Sequence, residues 1–197
     1  MKNYLIILLL FLIVGCSKDL DTLQKRGDTY YDINSEEPFS GLIINKYESG
    51  QKRTKGYLTN GKEDGIWTWW YENGQKEKEV DFLDGILDGL STEWDENGQK
   101  FSEGTYKDGK RDGLWTDWWE NGQKEKGVDF LDGILDGLYT GWDENGQKRW
   151  EGTYKDGERD GLHTEWYENG LKWLETTYKD GKGISSKRWN EDGSVEE

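Results

Sequence analysis

From Ser40 onward the chain runs in short alternations of apolar and polar residues that restart every 24 positions. The step is marked by Gly50, Gly74, Gly98, Gly122, Gly146 and Gly170, giving units 40–63, 64–87, 88–111, 112–135, 136–159 and 160–183 and a degenerate tail, 184–197. Alternation over five to eight residues, rich in Trp, Tyr, Phe, Thr and Val, predicts half-buried strands. Asn-Gly pairs at 73–74, 97–98, 121–122, 145–146 and 169–170 predict tight type I′ hairpins. Asp-Gly pairs such as Asp108-Gly109 and Asp112-Gly113 predict wider turns leading to the next hairpin. Glycine recurs too often for an amphipathic helix. The predicted fold is all-β: a repeat array of antiparallel hairpins forming an elongated, twisted meander sheet of about twelve strands.

Alternation also assigns faces. One side of the first strand carries Ile66/Thr68/Trp70, Leu90/Thr92/Trp94, Leu114/Thr116/Trp118, Leu138/Thr140/Trp142 and Leu162/Thr164/Trp166. Such constancy predicts a stacked core ladder, extended by Phe82, Tyr106, Phe130, Tyr154 and Tyr178 from the second strands. The opposite side varies. Its Trp67, Trp69, Tyr71, Trp115, Trp119, Tyr139 and Tyr167 form the candidate binding face, because exposed aromatics serve as stacking platforms or protein hot spots. The competing reading packs this face by curling it or setting it against a second layer. A longer period overlies the first: 64–111 and 112–159 match at 39 of 48 positions, the mark of a duplicated two-unit block.

Composition narrows the chemistry. With 26 basic and 41 acidic residues the formal charge is −15, which disfavours binding to a phosphate backbone. One cysteine excludes an intramolecular disulfide and any multi-cysteine metal site. His163, the only histidine, reads as a strand residue rather than a catalytic base, and the regular carboxylates lack the two distinct environments that acid–base pairs need. Asp84/Asp88, Asp108/Asp112, Asp132/Asp136 and Asp156/Asp160 line the wide turns, but Asp-Gly serves the turn itself and no EF-hand spacing is present. No enzyme activity, metal or cofactor is expected.

The N-terminus carries Lys2, then an apolar run to Val14 that is too short to span a bilayer, then Gly15-Cys16-Ser17. Ile13-Val14-Gly15-Cys16 resembles a bacterial lipobox. The resemblance implies cleavage after residue 15, a lipid on Cys16 and attachment to a membrane in the cell envelope, with Ser17 matching lipoproteins sorted to the outer membrane. Two or more acyl chains anchor a protein stably. Residues 1–15 are thus expected to be a signal peptide, 16–38 a lipidated flexible tether ending at the only proline, Pro38, and 39–197 the repeat domain.

The unit D-G-L-x-T-x-W-Y-E-N-G, followed by Y-K-D-G, resembles the MORN-repeat family, in particular its bacterial 24-residue variant. Residues Asp160 to Gly170 and Tyr178 to Gly181 match best. The resemblance implies a β-hairpin interaction scaffold. Bacterial relatives are sometimes catalogued as antitoxin-like, a role that the lipobox-like ending does not fit. The expected function is a lipid-anchored extracytoplasmic scaffold that binds a protein partner. The alternative is a module that binds cell-surface glycan or cell wall through its exposed Trp and Tyr.

Overall fold

The structure is a computed structural model and describes residues 17–196. Cys16 and residues 1–15, expected from sequence to be a signal peptide, lie outside the described residues. Thirteen antiparallel strands follow one another in chain order across one open sheet. They are β3 (Gly41–Lys46), β4 (Lys52–Thr59), β5 (Lys62–Trp70), β6 (Lys76–Leu83), β7 (Ile86–Trp94), β8 (Lys100–Lys107), β9 (Lys110–Trp118), β10 (Lys124–Leu131), β11 (Ile134–Trp142), β12 (Lys148–Lys155), β13 (Glu158–Trp166), β14 (Lys172–Lys179) and β15 (Lys182–Arg188). The expected meander is present, and the degenerate tail supplies its thirteenth strand. At about 4.8 Å per strand the sheet extends ~58 Å.

The turns are the reverse of those expected. The two-residue hairpins fall on Asn60-Gly61, Asp84-Gly85, Asp108-Gly109, Asp132-Gly133, Asp156-Gly157 and Asp180-Gly181, where both residues have positive φ as a type I′ turn requires. At the Asn-Gly pairs only the glycine is left-handed. There Gly74 N–H donates to Tyr71 C=O at 2.9 Å, and Asn73 accepts from Gln75 N–H with its side chain at 2.9 Å. That is a type I turn closed by a left-handed glycine, a longer loop than the I′ hairpin. Asparagine favours its side-chain bond here over a left-handed backbone.

Residues 18–38, within the 16–38 segment read from sequence as a tether, fold together with Phe39 against the first edge of the sheet. A 3-10 turn (Leu20–Thr22) leads into a hairpin of β1 (Gln24–Arg26) and β2 (Thr29–Tyr31). Lys18 bridges β3 in parallel: its N–H donates to Leu42 C=O at 3.0 Å, and its C=O accepts from Ile44 N–H at 2.8 Å. Leu20, Leu23, Tyr30 and Phe39 pack on a core of Ile43, Leu58, Trp67 and Val80.

The two faces also differ from expectation. Trp67 and Trp115, on the side expected to vary, are buried together with their cross-strand partners Val80 and Val128, and Trp67 is only 1% exposed. On the other side, Thr68, Thr92, Thr116, Thr140 and Thr164 are buried while the Ile and Leu of every triplet stand out in solvent. Side-chain volume explains the inversion. A lone sheet has no second layer, so a ring is buried only where a neighbouring strand leaves room for it.

Candidate interaction surface

On the packed face, room is made by glycine. The register runs Trp67↔Val80↔Ser91↔Gly104, then Trp115↔Val128↔Tyr139↔Gly152↔His163. A Cβ on Gly56 would lie 2.1 Å from the Trp67 ring, and one on Gly104 would lie 2.2 Å from Trp115. Each indole thus lies flat over a bare stretch of the preceding strand, a close approach that only glycine permits. Trp67 Nε1 donates to Tyr57 C=O at 3.2 Å and Trp115 Nε1 to Thr105 C=O at 3.0 Å. The second-strand rings join this face rather than the triplet ladder, with Phe82 edge-on to Trp67 and Tyr106 edge-on to Trp115.

The residues expected to form an open aromatic face therefore scatter. Trp67 and Trp115 are core. Trp69 is half-buried beside Trp67 and borders a shallow cleft of about 390 Å³ with Val80, Phe82 and Leu87. Tyr139 meets Trp150 edge-on at 4.0 Å, and Trp150 in turn covers Gly141. Tyr71, Trp119 and Tyr167 sit at hairpin tips and tie each tip to the next repeat, donating to the carbonyls of Trp94 at 2.8 Å, Trp142 at 3.3 Å and Trp189 at 2.8 Å. Burial, with acidic neighbours such as Glu77 and Glu96, raises the Tyr71 pKa and keeps its hydroxyl a donor.

His163 takes the indole position one block further on. Its ring covers Gly152, and Nε2 is 2.9 Å from Thr153 C=O. Burial lowers its pKa, and the Arg159 charge adds to that shift while the Thr153 carbonyl opposes it. Arg159 donates to the hydroxyls of Tyr154 and Tyr178 at 3.3 and 3.0 Å. Because imidazole is smaller than indole, a cleft of about 290 Å³ opens beside it, bordered by Tyr139, Trp150 and Tyr154.

The triplet face is a polar lattice. Lys76 pairs with Glu79 at 2.6 Å, Thr68 donates to the same carboxylate at 3.3 Å, and the ammonium lies 5.4 Å over the Trp94 ring. The pattern repeats with Lys100, Glu103, Thr92 and Trp118, and with Lys148, Glu151, Thr140 and Trp166. Lys124 covers Trp142 at 5.7 Å, but Gly127 stands where the other copies have Glu79, Glu103, Glu151 and Glu175. The ladder tryptophans thus lie beneath lysines, whose stems shield apolar surface while the charge meets the ring.

Most of the large apolar side chains that remain uncovered are aliphatic. Ile66, Leu83, Ile86 and Leu90, followed by Leu114, Leu131, Ile134 and Leu138, are 43–61% exposed. They crowd the Asp-Gly edge of the triplet face: Leu83 pairs with Ile86 across one hairpin and Leu131 with Ile134 across another. Alternate hairpins carry Leu-Asp-Gly-Ile at their tips, whereas 107–110 reads Lys-Asp-Gly-Lys. That contrast is the sequence signal for the band, and it lies in aliphatic tip residues rather than in the aromatics. Among the described residues no group of three or more His, Cys, Asp or Glu could hold a metal ion, and no helix is long and apolar enough to cross a membrane.

Four segments, 63–84, 87–108, 135–156 and 159–180, match the family described as MORN repeat variant. Each spans the Asp-Gly-bearing strand, the Asn-Gly turn and the returning strand, ending at the next Asp-Gly hairpin. The molecule is a β-hairpin repeat protein with four segments similar to that repeat, and the copy containing Gly127 lies between the matched pairs. A comparison with curated proteins finds no match.

Proposed function

We propose that this chain is a lipid-anchored, extracytoplasmic scaffold of the bacterial cell envelope that binds another protein through the aliphatic band. The observation that carries this reading is the pairing of eight exposed Leu and Ile residues on one edge with a set of aromatic rings most of which are engaged elsewhere. Glycan recognition needs ring faces open to solvent; here most rings lie over glycines, beneath lysines or bonded to carbonyls, and the exposed ones, Tyr57, Phe101 and Trp173, are scattered singly over β4, β8 and β14. MORN repeats and a single open sheet suit a scaffold, and the lone histidine is used for packing rather than catalysis. The charge of −15 argues against a nucleic-acid partner.

The experiment has two arms. An alkyne fatty acid should label the wild-type protein and leave Cys16→Ser unlabelled; a wild type without label refutes anchoring. A photocrosslinker at Leu131 should trap a protein in intact envelopes, while one at Trp69 should not. Trapping only at Trp69, or retention on glycan lost in Trp69→Ala, would favour the glycan reading.

A further inference from the structure

The aliphatic band is two stations rather than one surface. Ile66, Leu83, Ile86 and Leu90 form the first. Leu114, Leu131, Ile134 and Leu138, their counterparts 48 residues on, form the second. Each exposes on the order of 400 Å² of aliphatic surface, within the range of the largest patches on ordinary monomers. Corresponding residues lie four strands apart, roughly 19 Å along the sheet. At the usual twist of 20–25° per strand the two stations face directions about 80–100° apart. No single flat partner surface touches both.

Charge specifies the occupant. Asp81 is the cross-strand partner of Ile66, Asp84 sits in the turn between Leu83 and Ile86, and Asp88 lies between Ile86 and Leu90. Asp129, Asp132 and Asp136 repeat this around the second station. None of the six is in an ion pair among the described residues, although eleven other carboxylates in the sheet and its N-terminal segment are paired with lysine or arginine. An aliphatic patch ringed by unpaired carboxylates is complementary to aliphatic side chains flanked by lysine or arginine, and it repels an anionic bilayer. We propose that each station binds a basic amphipathic segment of a partner protein, so that one chain holds two copies of that segment. This rests on the band being the interaction surface.

The test is calorimetric titration of the full-length protein with short synthetic peptides of leucine and lysine, one with alternating leucines and one with helical spacing. Two equivalent sites per chain are expected. The pair Leu83→Ser and Ile86→Ser should leave one site, and adding Leu131→Ser and Ile134→Ser should leave none. Leu90→Ser, on a strand rather than a turn, should weaken the first site even if the turn variants disturb the hairpin. Replacing lysine by glutamate in the peptide should weaken binding on the order of tenfold or more. One site per chain in wild type, or unchanged stoichiometry in the four-residue variant, would overturn the proposal. So would dimerisation of the chain through these leucines in sedimentation, or binding to anionic vesicles instead of peptide. If the peptides fail while a crosslinker at Leu131 still traps an envelope protein, the basic-segment inference falls and the interaction reading stands; if both fail, both fall.

Discussion

Adding one methyl group at Gly56 should unseat Trp67. The new Cβ would lie 2.1 Å from Cδ2 and 2.2 Å from Cε2 of a ring that is 1% exposed, so the ring must move. It is hemmed in by Trp69 at 6.0 Å and Phe82 at 6.3 Å, with Nε1 bonded to Tyr57 C=O. If the ring shifts within the core, over-packing costs about 1–3 kcal/mol. If it leaves, the loss approaches that of Trp→Ala, about 3–5 kcal/mol. We therefore expect Gly56→Ala to destabilise the first repeats by about 3 kcal/mol, despite the better strand propensity of alanine. In a Trp67→Ala background the same substitution should cost less than about 0.5 kcal/mol, because the clash has gone. Gly152→Ala is the internal contrast: the 290 Å³ cleft beside His163 gives that ring somewhere to go, and the cost should stay below about 1 kcal/mol. Repeat arrays do not always unfold in one step, so urea denaturation should be joined to hydrogen exchange on β4 and β5. Additive effects of Gly56→Ala and Trp67→Ala, or a Gly56→Ala protein within about 0.5 kcal/mol of wild type, would refute the ring-over-glycine account.

Further outcomes follow from the same lattice. Burial lowers the His163 pKa below its unfolded value, so the unfolded chain takes up the proton first. Its contribution is therefore intact above about pH 6.5 and lost as pH falls from there through the folded pKa. Denaturation midpoints across that window should lose this slope in His163→Phe. His163→Trp should fill the cleft, donate to Thr153 C=O as Trp115 does to Thr105, and stabilise by on the order of 1 kcal/mol, read as a higher Tm. Gly127→Glu should restore the carboxylate beside Lys124 and Thr116 and gain up to about 1 kcal/mol. Added salt should shrink the part of that gain absent from Gly127→Thr.

The hairpin array was legible because its signal is a period, repeated too often for chance to imitate. Which face is buried was not. The triplet Leu90/Thr92/Trp94 has the regularity of a core but is regular for another reason: its threonine and tryptophan, like those of most copies, meet a recurring lysine and glutamate. The decisive clue was a glycine in mid-strand, Gly56 or Gly104, opposite a tryptophan on the next strand, and register is needed to see it. The Asp-Gly and Asn-Gly turns exchanged roles because both dipeptides favour left-handed backbone, and only the length of the flanking strands decides between them. The packing of residues 18–39 left no periodic trace, since Leu20, Leu23, Tyr30 and Phe39 reach the core from a turn, a hairpin and its exit. Of the candidate surface, its extent along the repeats was predictable, but its aliphatic character became visible only when the tryptophans proved to be occupied.

The bridge between Lys18 and β3 has a consequence for reach. Only Ser17 lies between Lys18 and Cys16, a span of about 7 Å when fully extended. A lipid on Cys16 would therefore seat the first strand of the array at the headgroups, with no slack to let it drift. Every later strand would then have a rank in distance from that foothold, up to β15 some 58 Å along the sheet. The two aliphatic stations would occupy graded rungs on this mast, and inserting or deleting a 24-residue unit between Lys18 and a station would change its standoff by about 10 Å.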